Sequence, residues 1–117
     1  MVTKDEEKEA TAEEPIIYEL TAEDVPNIIQ KEPNVIIMVY ANWCGFCRKM
    51  KPEFEEAAAR MQKQCTWARL DGDQFSEAAK ALGVDSFPTT LHFQNGELVK
   101  PPLRGAVEAD KLVVQVQ

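Results

Sequence analysis

The stretch that decides the fold is Val35-Ile36-Ile37-Met38-Val39-Tyr40-Ala41-Asn42-Trp43-Cys44-Gly45-Phe46-Cys47. Its first seven residues are apolar and rich in β-branched side chains, which predicts one strand in a sheet that is covered on both faces. A helical pattern begins at Cys44 and continues to about Gln62. Cys44 and Cys47 therefore fall in the first turn of a helix, on one face and close enough to form a disulfide without moving the backbone.

The place of the two cysteines predicts their reactivity. The first turn of a helix carries about half a positive charge and several unpaired N–H groups, and both favour a thiolate over a thiol. Cys44 is expected to be the more acidic cysteine, whereas Cys47 lies deeper and is suited to attack a mixed disulfide formed at its neighbour. This arrangement implies thiol–disulfide exchange.

Residues 43–47, Trp-Cys-Gly-Phe-Cys, resemble the active-site motif of thioredoxins and of the catalytic domains of protein disulfide isomerases. Pro52 lies where that family has a helix-kinking proline, and residues 87–89, Phe-Pro-Thr, resemble its cis-proline segment. The turn at residues 95–96, Asn-Gly, and Gly105 also match the family's hairpin turn and its glycine facing the cysteines. These matches extend over about residues 16–116, nearly the whole chain.

The resemblance implies an α/β domain with the thioredoxin fold, in which four helices flank a mixed five-stranded sheet in the order βαβαβαββα. Local patterns agree, because alternating strands and helices predict parallel strands with right-handed crossovers, and the final hairpin adds antiparallel strands. The predicted strands are Ile16–Leu20, residues 35–41, Cys65–Leu70, Thr89–Phe93 and Leu98–Leu103. The predicted helices run from Thr21 or Asp24 to about Lys31, then over about residues 44–62, 74–82 and 107–116.

Length and composition predict one domain with a separate tail. The chain has 117 residues, of which 44% are hydrophobic, enough to bury one core. Residues 1–15 contain six acidic side chains, two lysines and no aromatic residue, so we expect a disordered acidic tail before a thioredoxin-like domain at 16–117. The net charge of −7 argues against nucleic acid or an anionic membrane as a partner, and no apolar stretch is as long as a membrane span.

The sequence also gives an expectation for the compartment. The N-terminal residues lack a basic region followed by an apolar run, so we expect a cytoplasmic protein. A secretory, endoplasmic reticulum or periplasmic location stays open if a signal was removed. Cys65 is left unpaired when the other two cysteines bond, which is commoner in reducing compartments, and we expect it to pack as a small hydrophobic side chain, with disulfide regulation or dimerisation as the alternative.

A metal site and an inert structural disulfide are the two alternatives at the cysteine pair. Structural zinc and iron–sulfur sites need about four ligands, and only Cys65, His92 and scattered carboxylates remain to complete one. We therefore expect no metal and no dissociable cofactor, the redox group being the Cys44–Cys47 disulfide itself. We expect His92 to be an ordinary sheet histidine.

The resemblance also assigns a substrate-binding surface. In the family the proline packs beside the cysteines through a cis bond, and the neighbouring backbone binds an extended substrate segment. It implies that this role falls here to Trp43, Gly45, Phe46, Phe87, Pro88, Gly105 and Ala106. Trp43, Phe46, Phe87, Gly105 and Ala106 would form an apolar rim around Cys44, and exposed aromatic side chains of this kind suggest protein substrates.

Three positions depart from the family pattern. Met38 occupies the position of a buried aspartate or glutamate, and Arg69 that of its partner lysine, so both are expected to modulate the reaction. We expect Arg69 to reach solvent or to pair with Asp71 or Asp73, because an unpaired buried cation is costly. Without the carboxylate, proton transfer from Cys47 needs water or another group and exchange should be slower. Phe46 replaces a proline or histidine and favours the reducing direction slightly.

We therefore expect a monomeric thiol–disulfide oxidoreductase that acts on disulfide-containing protein substrates, mainly in the reducing direction. It would be recycled by an unidentified reductase or by glutathione and would serve electron transport and cell redox homeostasis. One alternative is a domain of the disulfide isomerase or oxidase type, although Val107 stands where isomerase domains carry a loop arginine. The others are a redox-poor peptide-binding or chaperone module, suggested by Met38, and a metal or iron–sulfur carrier.

Overall fold

The computed structural model describes residues 15–117, so the predicted acidic tail lies outside the described residues except for Pro15. Within residues 15–117 no helix is long and apolar enough to cross a membrane. The same range contains six strands and four helices. In chain order they are β1 (Ile17–Leu20), α1 (Asp24–Lys31), β2 (Asn34–Tyr40), α2 (Gly45–Met61), β3 (Thr66–Asp71), α3 (Ser76–Ala81), β4 (Thr89–Gln94), β5 (Glu97–Leu98), β6 (Leu103–Arg104) and α4 (Ala109–Val116).

The strands form one mixed sheet in the spatial order β1-β3-β2-β4-β5, with β6 also paired to β4. β1 and β2 both run parallel to β3, whereas β4 runs antiparallel to β2. Residues Val35 to Val39 face partners in both neighbouring strands, and each is at most 2% exposed. The prediction of a central strand buried on both faces is therefore confirmed.

The predicted last strand, Leu98 to Leu103, is wrong as a single element. Leu98 pairs with Phe93 and Leu103 pairs with Thr90, so both ends join β4, and the Val99 N–H still donates to the His92 carbonyl, but residues 100–102 leave the sheet. Pro101 and Pro102 lack the N–H that a ladder needs, which interrupts the strand. The sheet consequently has six strands in the described part of the chain, because one predicted strand is divided into two.

Each face of the sheet carries its own core. Side chains alternate between the faces along a strand, so neighbouring residues of β2 belong to different cores. One face packs beneath α1 and α3, and the other packs beneath α2 and α4. The first core includes Val35, Ile37, Val39, Ala68, Leu70, Leu91 and Ala79, and the second includes Ile36, Met38, Trp67, Met50, Phe54 and Leu112.

Helix α2 is fixed to the second face by an aromatic contact. The rings of Phe54 and Trp67 meet edge to face, with centroids 5.3 Å apart, and both side chains are at most 1% exposed. This geometry is favourable beyond the buried area alone. Pro52 lies inside the helix as predicted. The contact holds the first turn of α2, which carries the cysteines, at one end of the sheet.

The close packing at Gly72 gives a stability prediction. A Cβ atom at this position would lie 2.5 Å from the Phe87 ring and 2.8 Å from Val39 Cγ1. Gly72→Ala is therefore expected to lower the free energy of unfolding by about 1–3 kcal/mol, the usual cost of overpacking, as measured by urea denaturation. Gly45→Ala is the matched control, because the nearest atom to its new Cβ is 4.0 Å away. Equal stabilities of the two variants would contradict the packing argument.

Candidate active site

Cys44 stands at the junction of strand β2 and helix α2. It is the N-cap residue of α2, with extended backbone angles, and its Sγ accepts a hydrogen bond from the Cys47 N–H at 3.3 Å. Its own N–H donates to the Ala41 carbonyl at 3.2 Å, which closes the turn out of β2. The sulfur thus takes the place that a serine or aspartate oxygen fills at most helix starts. Cys44 and Cys47 are both thiols here, and both side chains are buried.

Cys47 is a buried thiol with a raised pKa. Burial and, next to it, the hydrogen bond with the Cys44 side chain raise the pKa of its thiol to about 11, whereas the Arg48 cation works in the opposite direction. Cys47 is consequently a neutral thiol near neutral pH. It must give up a proton before its sulfur can act as a nucleophile.

The proline segment reaches the cysteines as the sequence indicated. The Phe87–Pro88 peptide bond is cis, which confirms that prediction. The Phe87 carbonyl accepts a hydrogen bond from the Cys44 thiol at 3.7 Å, and the Gly105 N–H donates to the Pro88 carbonyl at 2.8 Å. Gly105 has φ +86°, a conformation that side chains other than glycine rarely adopt. Two loops are thereby joined beside Cys44.

The aromatic residues of the apolar rim are placed at the same end of the sheet. Trp43 is 65% exposed and Phe46 is 64% exposed, which is unusual for side chains of this size. The Trp43 ring meets Phe87 edge to face, with the centroids 6.0 Å apart. Gly45 and Ala106 are also exposed. Large apolar surfaces left in solvent next to a reactive thiol form a surface that a protein segment can cover.

A cleft behind Cys47 was not predicted from the sequence. This Cys47 cleft has a volume of about 380 Å³ and is lined by Met38, Tyr40, Ala41, Asn42, Cys47, Arg48, Lys51 and Arg69. Two spacings in the sequence indicate this cleft. Met38 and Tyr40 are two residues apart on β2, and Arg48 and Lys51 are three residues apart on α2, so the two side chains of each pair lie on the same face of their element.

Arg69 does not pair with Asp71 or Asp73, so that alternative is wrong, whereas its side chain is 22% exposed and reaches solvent as the other alternative expected. Its Nε lies 3.2 Å from Glu19 Oε1, and its guanidinium stacks over the Tyr40 ring at 5.9 Å. The Tyr40 hydroxyl donates a hydrogen bond to the other oxygen of Glu19. Burial and this carboxylate both raise the pKa of Tyr40 above its ordinary range.

The reason lies in the contacts of Asp71. One of its carboxylate oxygens accepts the backbone N–H groups of Asp73 and Gln74, each at 3.1 Å. The other oxygen accepts the Asn42 side-chain amide at 3.3 Å. These bonds already occupy the carboxylate, so Arg69 takes its partner from the neighbouring strand β1 instead. Glu19 and Arg69 are direct partners in the parallel register of β1 and β3, and this register is the feature that identifies the pair.

The two remaining candidates lie away from the cysteine pair. Cys65 is buried in the core beneath α2 and α4, where burial raises the pKa of its thiol, so it packs as a small hydrophobic side chain as expected. His92 Nε2 lies 3.4 Å from Asn34 Oδ1 on the sheet. Burial, and next to it the charge of Lys100, lower the pKa of His92. No cluster of three or more metal-ligating side chains exists within residues 15–117.

Comparison with known proteins agrees with this arrangement. The family model described as Thioredoxin matches residues 16–117. Protein disulfide-isomerase A5 of Mus musculus is 36% identical over 85 residues, covering 69% of this chain and 16% of that protein. Endoplasmic reticulum resident protein 44 of Homo sapiens is 33% identical over 100 residues, covering 78% of this chain and 25% of that protein. The chain thus spans a quarter or less of these two relatives.

A solved structure extends the comparison to the whole fold. Plasmodium falciparum thioredoxin has a TM-score of 0.78 and 26% sequence identity, and the match covers 86% of this chain and 100% of that chain. This similarity confirms the predicted thioredoxin fold, an α/β domain with a mixed central sheet and flanking helices.

The buried position of Cys47 gives a prediction about pH. In a Cys44→Ser variant, alkylation of Cys47 by iodoacetamide should stay slow at neutral pH and rise with a pKa above the ordinary value of 9.0, because burial is the largest cause of the shift. Peptide mass spectrometry separates Cys47 from Cys65. The urea-unfolded variant is the control and should return to the ordinary pKa. A folded-state pKa at or below the unfolded value would contradict the burial argument.

Proposed function

Because the chain belongs to the thioredoxin family, we propose that it exchanges disulfides with protein substrates, with Cys44 as nucleophile and Cys47 as resolving cysteine. The observation that carries the proposal is the position of the Cys44 sulfur. It caps helix α2, accepts the Cys47 N–H and lies against the Phe87 carbonyl beneath exposed aromatic side chains. Similarity to Protein disulfide-isomerase A5 supports the same class of reaction.

The electrons exchanged with the substrate come from the two cysteines alone. The Cys44 thiolate attacks one sulfur of a substrate disulfide, the substrate S–S bond breaks, and one substrate thiolate leaves. Cys47 then loses its proton and attacks Cys44 Sγ, which releases the second substrate thiolate. Two electrons have passed to the substrate, and the protein holds a Cys44–Cys47 disulfide. Running the steps backwards donates a disulfide.

The reducing direction is our proposal for the usual course of the reaction. Phe46, between the cysteines, offers neither a charge nor a hydrogen bond to stabilise the Cys44 thiolate. A side chain that did so would favour the dithiol form and make the pair a stronger oxidant. Turnover in this direction requires an external electron donor, such as a reductase or glutathione.

Substrate binding is assigned to the surface around Cys44. The rim residues Trp43, Phe46 and Phe87 supply apolar area, and the loops at Pro88 and Gly105 supply backbone beside it. Gly45 and Ala106 leave the approach free of bulky side chains. These features suit an extended segment of a partly unfolded protein, which presents both backbone groups and apolar side chains. We assign these functions to a monomeric domain at residues 16–117.

The compartment is a proposal that rests on the relatives. The sequence alone led us to expect a cytoplasmic location, whereas the name of one relative, Endoplasmic reticulum resident protein 44, favours the endoplasmic reticulum. We propose the secretory pathway, where a protein disulfide exchanger meets substrates that form disulfides during folding.

A second candidate is a peptide-binding module with little redox activity. The observation in its favour is that the Cys47 cleft is lined by no carboxylate among the described residues, and Met38 is 2% exposed where a proton acceptor would be useful. Such a module would bind unfolded peptides through the apolar rim. Its peptide affinity would be the same after Cys44→Ser, and it would not reduce insulin.

The assignment of the two cysteines gives a trapping prediction. Cys47→Ser should accumulate a mixed disulfide between Cys44 and an insulin chain, because the attack that releases the product has been removed. Non-reducing electrophoresis and mass spectrometry detect the adduct. Cys65→Ala is the matched control and should release the product as the unsubstituted protein does. Equal trapping by Cys44→Ser would overturn the roles given to the cysteines.

The apolar side chain at position 38 gives a rate prediction. Met38→Asp places a carboxylate in the Cys47 cleft and should speed insulin reduction by about tenfold, since a positioned general base contributes ~100-fold or more where nothing else can accept the proton. Met38→Asn is the control of similar size and polarity that accepts no proton. No difference in rate between the two variants, both shown to be folded, would count against a missing proton acceptor.

A further inference from the structure

The Cys47 cleft carries positive charge that the described contacts do not neutralise. Arg48 donates a hydrogen bond to the Asn42 carbonyl at 3.1 Å, and Arg69 is paired with Glu19. Within residues 15–117 no carboxylate lies within ion-pair distance of Arg48 or Lys51. Two cations therefore face one concave surface to which residues 15–117 supply no counter-charge, in a chain whose net charge is −7.

The size and chemistry of the cleft suit a small anion. Its volume of about 380 Å³ exceeds that of several water molecules, which occupy about 30 Å³ each in the liquid. A guanidinium group binds carboxylate and phosphate through paired hydrogen bonds, and a lysine ammonium adds a compact charge. Arg48 and Lys51 are three residues apart on α2, so both reach the same cleft. An oxyanion held there would lie beside the Cys47 thiol.

No side chain that lines the cleft can take the Cys47 proton near neutral pH. Met38 has no basic atom, and Arg48, Lys51 and Arg69 are cationic side chains that donate hydrogen bonds and have no acceptor atom. The Tyr40 hydroxyl keeps its own proton, because burial and the bond to Glu19 raise its pKa. The Asn42 side chain is a neutral amide, which does not accept a proton near neutral pH. Proton removal from Cys47 therefore depends on water or on a bound species.

We propose that the Cys47 cleft binds a small oxyanion, phosphate or carboxylate, between Arg48 and Lys51, and that this anion accepts the Cys47 proton during product release. The proposal rests on the proposed function. The proton passes from Cys47 Sγ to an anion oxygen, the new thiolate attacks Cys44 Sγ, and the bond from Cys44 to the substrate sulfur breaks. The anion gains one proton and exchanges no electrons.

The test uses a disulfide reagent that carries no anionic group. One equivalent of 4,4′-dithiodipyridine is mixed with reduced Cys65→Ala protein, so that the first thiopyridone released reports attack by Cys44 and the second reports attack by Cys47. Phosphate replaces chloride at constant pH and ionic strength. The second release is expected to accelerate at least about fivefold and to saturate, short of the ~100-fold typical of a fixed side-chain base, while the first release stays unchanged. A parallel series with acetate distinguishes carboxylate from phosphate as the effective anion.

Variants locate the site. Arg48→Gln combined with Lys51→Gln should abolish the dependence on phosphate, whereas Lys49→Gln should retain it, because Lys49 is on the same helix but does not line the cleft. Met38→Asp, which supplies an internal base, should also lose the dependence.

Two outcomes overturn the proposal alone. One is an equal second release in phosphate, acetate and chloride, and the other is an unchanged phosphate effect in the double variant. Absence of a second release in every salt would overturn the proposed dithiol chemistry as well, so failure of the anion site and failure of the function are distinguishable.

Discussion

The hydrogen bonds that hold β2 between β3 and β4 determine where the reactive cysteines stand. Val39 is opposite Leu70 on one side and Thr89 on the other. A slip of one residue would exchange the two cores, because alternate side chains of β2 belong to opposite faces. The same ladder brings the start of β4 to the end of β2, and Pro88 directly precedes β4. The register of the sheet therefore brings Cys44 and the cis-proline segment together, and this does not depend on contacts between their side chains.

The two sulfurs share one helical turn but face different surroundings. Cys44 lies at the strand–helix junction, where its sulfur replaces a capping oxygen and meets the Phe87 carbonyl. Cys47 faces the Cys47 cleft, where burial keeps it protonated and the nearby charges are cationic. The first position suits attack on an incoming disulfide. The second suits an attack that waits until a mixed disulfide has formed next to it and a proton acceptor is at hand.

Local sequence patterns are sufficient for most of the fold and for the cysteine pair. Strand and helix periods are set by neighbours in the chain, so the element order and the place of Cys44 at a helix start were predictable. The Asn95-Gly96 turn predicts a hairpin but does not state how far the returning strand runs, and the consecutive prolines at 101 and 102 divide that strand into β5 and β6. The Glu19–Arg69 pair was missed because it depends on β1 lying beside β3, which no local pattern states. The Cys47 cleft depends on how far α2 stands from the sheet, and that distance is a property of packing.

The side chain at position 38 and the pair formed by Arg69 have one physical explanation. Arg69 on β3 is a partly buried cation, and a counter-charge offsets the free-energy cost of removing it from water. With methionine at position 38, strand β2 supplies none, and Glu19 on the edge strand β1 provides it, with Tyr40 bonded to the same carboxylate. The Glu19 side chain is 47% exposed, so the negative charge lies at the rim of the sheet. The fold thereby pairs the partly buried Arg69 guanidinium without an acid at position 38. The consequence for Cys47 is that residues 15–117 supply its cleft with no carboxylate to accept the thiol proton, because Glu19, which pairs with Arg69, does not line that cleft.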